Sequence, residues 1–350
     1  MAGDRSSSAS NGDPRSLAHQ INVAIASSHT KINRLILDRM PRAVPPHTSN
    51  PSAYITGLIH IGAVYIAFES LWQSILGIHS DIAPVPYVFP FSADPCQHDE
   101  TPQITERTRQ ILEEAYWPNM VRVDRIKADI RAMTGWPAHV IDEQIRSAGT
   151  SGRLGKFTLH VRDSVLAKPH LLLAYAYSLY LALLSGGSYI RAELLCLKPQ
   201  FWHETPTPIR PHMVGCRPQH ASSAGRERLS TFEDNSSIKI PLDFLDFDPP
   251  LGEHPRQQCK ELKAEFKTRF ARAEQLLAGP ERQDIVEESA AIFHHLEGVV
   301  GQLDAIFGTS QAQGFGGQKA SHAPTYSTRV SNIGSRLRDS IAIAKVRLLG

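Results

Sequence analysis

From Ser16 onward apolar residues recur every three or four positions, with Leu17, Ile21, Ile25, Ile32 and Ile36 forming one stripe, which is the period of an α-helix. The stripe predicts a first helix that fails where Pro41, Pro45 and Pro46 remove backbone donors and fix φ. A second helix is predicted from Pro51, suited to a first turn, through Ile55, Leu58, Ile59, Tyr65, Ile66 and Trp72 to Gly77, packed antiparallel to the first. Pro84, Pro86, Pro90, Pro95 and Pro102 forbid regular helix and predict an extended connection over 78–103. Helical patterning returns at Thr105 to Tyr116, at Met120 to Met133, after Pro137 to about Ser147, and around Lys156 to Leu166. Pro169 then opens the most apolar helix, which runs into Ser185-Gly186-Gly187 and resumes from Ser188 to Leu197. Two glycines inside such a helix predict a kink, either for close helix packing or for backbone contact with a flat ligand.

Between Lys198 and Pro255 the composition turns to Pro, Ser, His and charges, too long a stretch for an ordinary loop, and 204–238 reads as a disordered insertion. Two last helices are expected at 256–277 and 281–306, divided by Gly279-Pro280. Residues 1–15 are polar enough to be a disordered N-terminus. Residues 307–350 read as a flexible tail, with a short basic amphipathic turn at Arg336 to Leu349. The pattern therefore predicts an all-α, multi-helical bundle forming one domain over 16–306. No internal repeat, no useful strand alternation and no phosphate-binding glycine loop is visible.

Charge and cysteine usage narrow the function. Thirty-seven Lys and Arg against 35 Asp and Glu leave a net charge of +2, with no basic block interleaved with aromatics, so nucleic acid is a poor partner. Cys96, Cys196, Cys216 and Cys259 are widely spaced and read as reduced thiols in an intracellular protein. No secretory signal is seen. The longest apolar run, Leu171 to Leu184, is short of the ~18–20 residues of a membrane span. The expected setting is the cytoplasm, with no transmembrane segment and at most peripheral contact of the tail with a membrane surface.

His29 is the residue that stands out chemically. It follows Ile25 by four positions and precedes Ile32 by three, so it projects from the apolar stripe of the first helix. An inward imidazole is either a core histidine bonded to a neighbouring acceptor or a metal ligand through one ring nitrogen. Lys263 and Lys267, one turn apart, form either an anion-binding pair or a solvated stripe with Lys260 and Arg269.

Ser28-His29-Thr30, the run from Tyr175-Ala176-Tyr177 to Leu184-Ser185-Gly186-Gly187, and Lys263 to Glu274 followed by Arg282-Gln283 and Glu287-Glu288 resemble haem oxygenases, in the same order. The resemblance covers roughly 16–200 and 240–306 and marks a divergent, fungal-type member of that superfamily. It implies that His29 is the proximal haem ligand and that Gly186 and Gly187 lie against the distal face. It also implies that Tyr177, Lys263 and Lys267 reach the propionates and that Phe293 lines the pocket. The implied activity is decyclising oxidation of haem to biliverdin, carbon monoxide and iron, haem being substrate and prosthetic group, with electrons from an external NADPH-dependent reductase.

Two positions depart from the family pattern. Asn22 replaces a lysine that contacts a propionate, and Leu183 replaces the distal-helix aspartate that organises a proton-delivering water chain; Ser178 or Ser185 is the polar group near enough in sequence to take that place. Leu183 favours an alternative, a haem-binding or haem-sensing protein without ring opening. A third reading puts non-haem di-iron or thiamine-type chemistry on the same fold. Di-iron would need inward Glu and His from facing helices, for which Glu69 and His294 are the conceivable members.

Overall fold

The computed structural model describes residues 14–78, 104–204, 239–247 and 255–314. Ten helices account for most of them: α1 Leu17–Arg39, α2 Ser52–Leu76, α3 Glu106–Ala115, α4 Val123–Thr134, α5 Ala138–Gly149, α6 Gly152–Ala167, α7 Pro169–Leu195, α8 Pro199–His203, α9 Pro255–Gln275 and α10 Gly279–Gly314. No strand occurs among the described residues, and the all-α bundle expected from the periodicity is the architecture found. The extended connection, the insertion and the two tails fall almost wholly outside the described residues. α10 continues to Gly314, past residue 306 where the apolar pattern gives out.

The helix ends follow local chemistry. Ser16 caps α1 by accepting from the His19 amide, and Thr105 caps α3 through Thr108. Gly77 and Gly135 close α2 and α4 at φ 68°, a left-handed conformation that an L side chain resists.

Packing departs from the sequence expectation in one respect. α1 does not pair with α2; it lies along α10, with Lys31 on Glu297 and Arg39 gripping both Asp304 oxygens. The reason is the width of each apolar face. α1 buries only Leu17, Ile21, Ile25 and Ile32, and Ile36, expected in that stripe, is 38% exposed. One neighbour suffices to cover so narrow a face. α2 is apolar nearly all round and is enclosed by α4, α5 and α6.

α7 likewise runs through the middle, touching α2, α3, α9 and α10. α2 and α7 are each long and apolar enough to cross a membrane, and 78% and 72% of their most apolar windows are buried inside the fold. Such enclosure is the state of a core helix, whose apolar surface is already removed from water by protein.

Buried polar groups tie these helices together. Glu69 on α2 accepts from the Arg122 and Val123 amides at the start of α4 and from the Tyr180 hydroxyl of α7 at 2.9 Å. Its pKa is pushed up to about 8 by burial. Arg122 donates to the carbonyls of Met120, Asn119 and Asp246. Asp129 accepts from the Asp243 and Phe244 amides at 2.8 Å each, fixing a turn of 3-10 helix, Asp243–Leu245. That turn delivers Leu245 to the side of α7.

Candidate functional site

α7 carries an irregularity that the sequence signals only as two glycines. It is π-helical over Ala176–Tyr180 and again over Leu183–Gly187. A π turn takes in one extra residue, shifts the register of the helix and is frequent at functional sites. The helix does not stop at the glycines but runs on into Ser188–Leu195.

Residues 171–180 of α7 are buried without exception. Ala182, by contrast, is exposed, and Ser185 and Gly186 are half-buried. Ala182 and Gly186 are one turn apart, so a strip of small residues is left uncovered in the middle of a core helix. A Cβ placed on Gly186 would meet nothing within 4 Å. Gly187 is different. It is buried, and a Cβ there would lie 3.1 Å from Leu183 Cδ1 and 3.5 Å from Leu245 Cδ2. The approach that Gly187 permits is therefore packing of α7 on the 243–245 turn, and Leu183 is directed to that same contact. Of the pair singled out in the sequence only Gly186 borders open space, and Ala182, which no motif marks, borders the opening with it.

α9 packs on the π turn that carries this strip, and α1 meets α7 earlier, at Tyr177. His29 is half-buried on α1, its ring edge-on to Phe293 of α10 with centroids 5.7 Å apart. Asn33, one turn on, brings its amide nitrogen to 3.3 Å from Nδ1 and 3.4 Å from Nε2. Spacing by four residues was the one sequence signal for Asn33. Burial and the nearby Lys263 charge both lower the pKa of His29, so the imidazole stays neutral to lower pH than a free histidine and keeps a ring lone pair available.

α9 is set against α7 by Phe270 on Tyr177, at 4.8 Å between centroids, and by Phe266 on Tyr180, at 6.3 Å. In that register Lys263 donates to Ser185 Oγ at 2.9 Å. Lys263 and Lys267 are both half-buried, and burial holds each ammonium below its usual pKa, Lys263 adding to the effect on Lys267. The Tyr177 hydroxyl stands 3.3 Å from both Ala18 O and Asn22 Oδ1, two turns before His29 on α1. Its pKa is pushed up to about 12, by burial first.

His29 and Phe293 thus adjoin Lys263, which reaches Ser185 beside Gly186, while Tyr177 and Lys267 lie a turn or two away along α7 and α9. The two residues considered for di-iron chemistry do not converge. Glu69 is committed to the start of α4, and His294 is exposed on α10. Among the described residues no group of three or more His, Cys, Asp or Glu is gathered as a side-chain metal site requires.

Comparison with known proteins bears on the fold and family. The heme oxygenase family model matches residues 100–301, more than half of the chain. The chain belongs to the haem oxygenase family. Among solved structures, haem oxygenase 2 from Chlamydomonas reinhardtii, crystallised without haem, superposes with a TM-score of 0.53 at 15% identity, covering 82% of this chain and 97% of that one. Haem oxygenase-1 from the cyanobacterium Synechocystis, in complex with haem, gives a TM-score of 0.48 at 16% identity, covering 85% and 97%. No curated protein sequence matches the chain. The first superposition gives the shared haem oxygenase fold. α7 and α9 lie inside the stretch matched by the family model, whereas α1 with His29 precedes it.

Proposed function

We propose that this member of the haem oxygenase family binds haem between α1 and α7, with His29 as axial ligand, and oxidises it to biliverdin, carbon monoxide and iron. The observation that carries the reading is the meeting of a neutral, half-buried imidazole with half-buried lysines beside an uncovered Ala182–Gly186 strip.

Those residues suit the ligand. A flat ring needs a wall without side chains, and Gly186 and Ala182 supply one. Haem iron needs a single nitrogen from this side, where a metal held by side chains alone needs three or four. Two propionates need cations at the rim. When bound, haem supplies the redox chemistry, its iron activating dioxygen and its own macrocycle being the carbon skeleton oxidised. The protein's residues hold and orient. His29 presents a neutral ring nitrogen, kept in place by the edge of Phe293 and by Asn33. Lys263 and Lys267 neutralise carboxylates, and Tyr177 stands at the same edge with its hydroxyl shared with Asn22. Electrons come from a separate NADPH-dependent reductase, and the setting is the cytoplasm.

Reconstitution with haemin tests the reading. One equivalent is expected to bind with a histidine-ligated ferric spectrum, and ascorbate in air is expected to remove the Soret band as biliverdin appears. Failure to bind haemin stoichiometrically would end it. A second reading, haem binding or sensing without ring opening, is favoured by the absence of a proton-donating side chain at Ala182, Leu183 and Gly186. It expects the Soret band to persist under ascorbate and air, with no biliverdin.

Gly186→Ala separates folding from binding. Because an added Cβ meets nothing in the ligand-free chain, the helix should gain about 0.5–1 kcal/mol, seen in urea denaturation. The same methyl enters the space assigned to the porphyrin, so haemin affinity should fall several-fold. Equal affinity in Gly186→Ala and the natural chain would take α7 out of the binding wall.

A further inference from the structure

We infer that Ser185 is a positioning residue for carboxylate recognition, holding the Lys263 ammonium at the rim of the cleft where a carboxylate of the incoming porphyrin meets it. The inference rests on the haem-binding reading and deepens it.

Lys263 differs from the arginines of its own helix in the company it keeps. Arg269 is paired with Glu265 and Arg272 with Glu114. Among the described residues no carboxylate lies within ion-pair distance of Lys263; its ammonium donates instead to the neutral Ser185 hydroxyl at 2.9 Å. A hydroxyl satisfies one N–H donor and leaves the charge uncompensated. An anion can then take the remaining donors without first breaking an ion pair.

The fold puts the serine there for that purpose. Phe270 on Tyr177 and Phe266 on Tyr180 fix α9 in register on α7, and the π turn Leu183–Gly187 is the part of α7 that meets α9 beyond them. Ser185 is the residue before Gly186, so the ammonium it holds sits beside the uncovered strip. Lys267, one turn on, offers a second cation at a Cβ separation of roughly 5–6 Å, a spacing suited to two carboxylates on one edge of a ring. A flexible lysine left to itself would spread its charge over many rotamers, most of them in water. A hydrogen bond to Ser185 selects the ones that overhang the cleft.

The test uses the full chain and two iron-free ligands, protoporphyrin IX and its dimethyl ester, followed by fluorescence. Iron-free ligands remove His29 ligation from the measurement. The natural chain is expected to favour the diacid, and Ser185→Ala is expected to lower the diacid-to-diester affinity ratio about 3- to 10-fold, with Ser185→Thr restoring it. In a Lys263→Met background Ser185→Ala should change the ratio no further, because the two act through one contact. A purely structural link between α7 and α9 would shift both ligands alike and leave the ratio where it was. An unchanged ratio in Ser185→Ala, or an equal fall with and without Lys263, overturns the inference while the haem reading stands. If the natural chain binds haemin but neither iron-free porphyrin, the inference falls alone; if it binds none of the three, both fall.

Discussion

His29→Ala is expected to abolish the histidine-ligated ferric spectrum of the haemin complex, and added imidazole is expected to restore it. His29 is the one imidazole among those described that stands with Lys263 and the edge of Phe293 around the uncovered strip of α7. Truncation removes the ring and leaves a space of its own shape between Phe293 and Asn33, which free imidazole fits. Haemin should still bind weakly, since apolar contact over the porphyrin faces contributes about 25 cal/mol per Å² buried, so the loss is one of ligation and affinity together.

The fold should barely notice. His29 is only half-buried and makes no long-range hydrogen bond among the described residues, so thermal unfolding of the ligand-free variant should match that of the natural chain. That agreement is what ties a spectral loss to ligation. An unaltered spectrum in His29→Ala would refute the assignment, and because α1 precedes the stretch matched by the family model, this variant bears on the proposal more directly than any other.

Leu183→Asp is expected to act on chemistry and stability in opposite directions. Leu183 is 5% exposed and lies against Gly187 and near Leu245. An aspartate there loses roughly 2–3 kcal/mol of apolar burial and adds a carboxyl that this apolar corner drives toward its neutral form. Denaturant unfolding should show a loss of about 3–5 kcal/mol.

If proton delivery is what the natural chain lacks, the same variant should give more biliverdin per haem consumed with ascorbate. Leu183→Ala is the control, since it opens the same corner without supplying an acid and should leave the yield where it was. A yield unchanged in Leu183→Asp, in protein that still binds haemin, would detach Leu183 from the chemistry. Fast, clean biliverdin formation by the natural sequence would show that another group does the aspartate's work, and the non-enzymatic reading would then be withdrawn.

What the sequence determined by itself is the set of helices and the candidates they carry. Helix boundaries are local events: Pro41 and Pro137 stop or open a helix wherever they stand, Ser16 and Thr105 cap the residues that follow them, and Gly77 and Gly135 accept a left-handed turn. A period of 3.6 places His29 on the apolar side of α1, and a spacing of four places Lys263 and Lys267 on one face of α9, whatever the rest of the chain does. The order of those motifs was enough to suggest the family.

The tertiary structure decided the partners. The sequence suggested α1 beside α2, and nothing local opposed it; the width of each apolar face, measured against the helices competing to cover it, put α1 on α10 and enclosed α2. α6 begins at Gly152, ahead of its apolar pattern, because Gln302 reaches across from α10 to accept from the Arg153 and Leu154 amides. Glu69, a conceivable iron ligand on sequence alone, is instead taken up by the Arg122 and Val123 amides and the Tyr180 hydroxyl.

The site shows the same division at closer range. Two adjacent glycines look equivalent in sequence, yet the π turn and the return of Leu245 on the Asp129 anchor fill the space beside Gly187 and leave it open beside Gly186 and Ala182. Periodicity fixes which way a side chain points along its own helix. Which neighbour fills the space it points into depends on residues far away in the chain, and only their packing settles it.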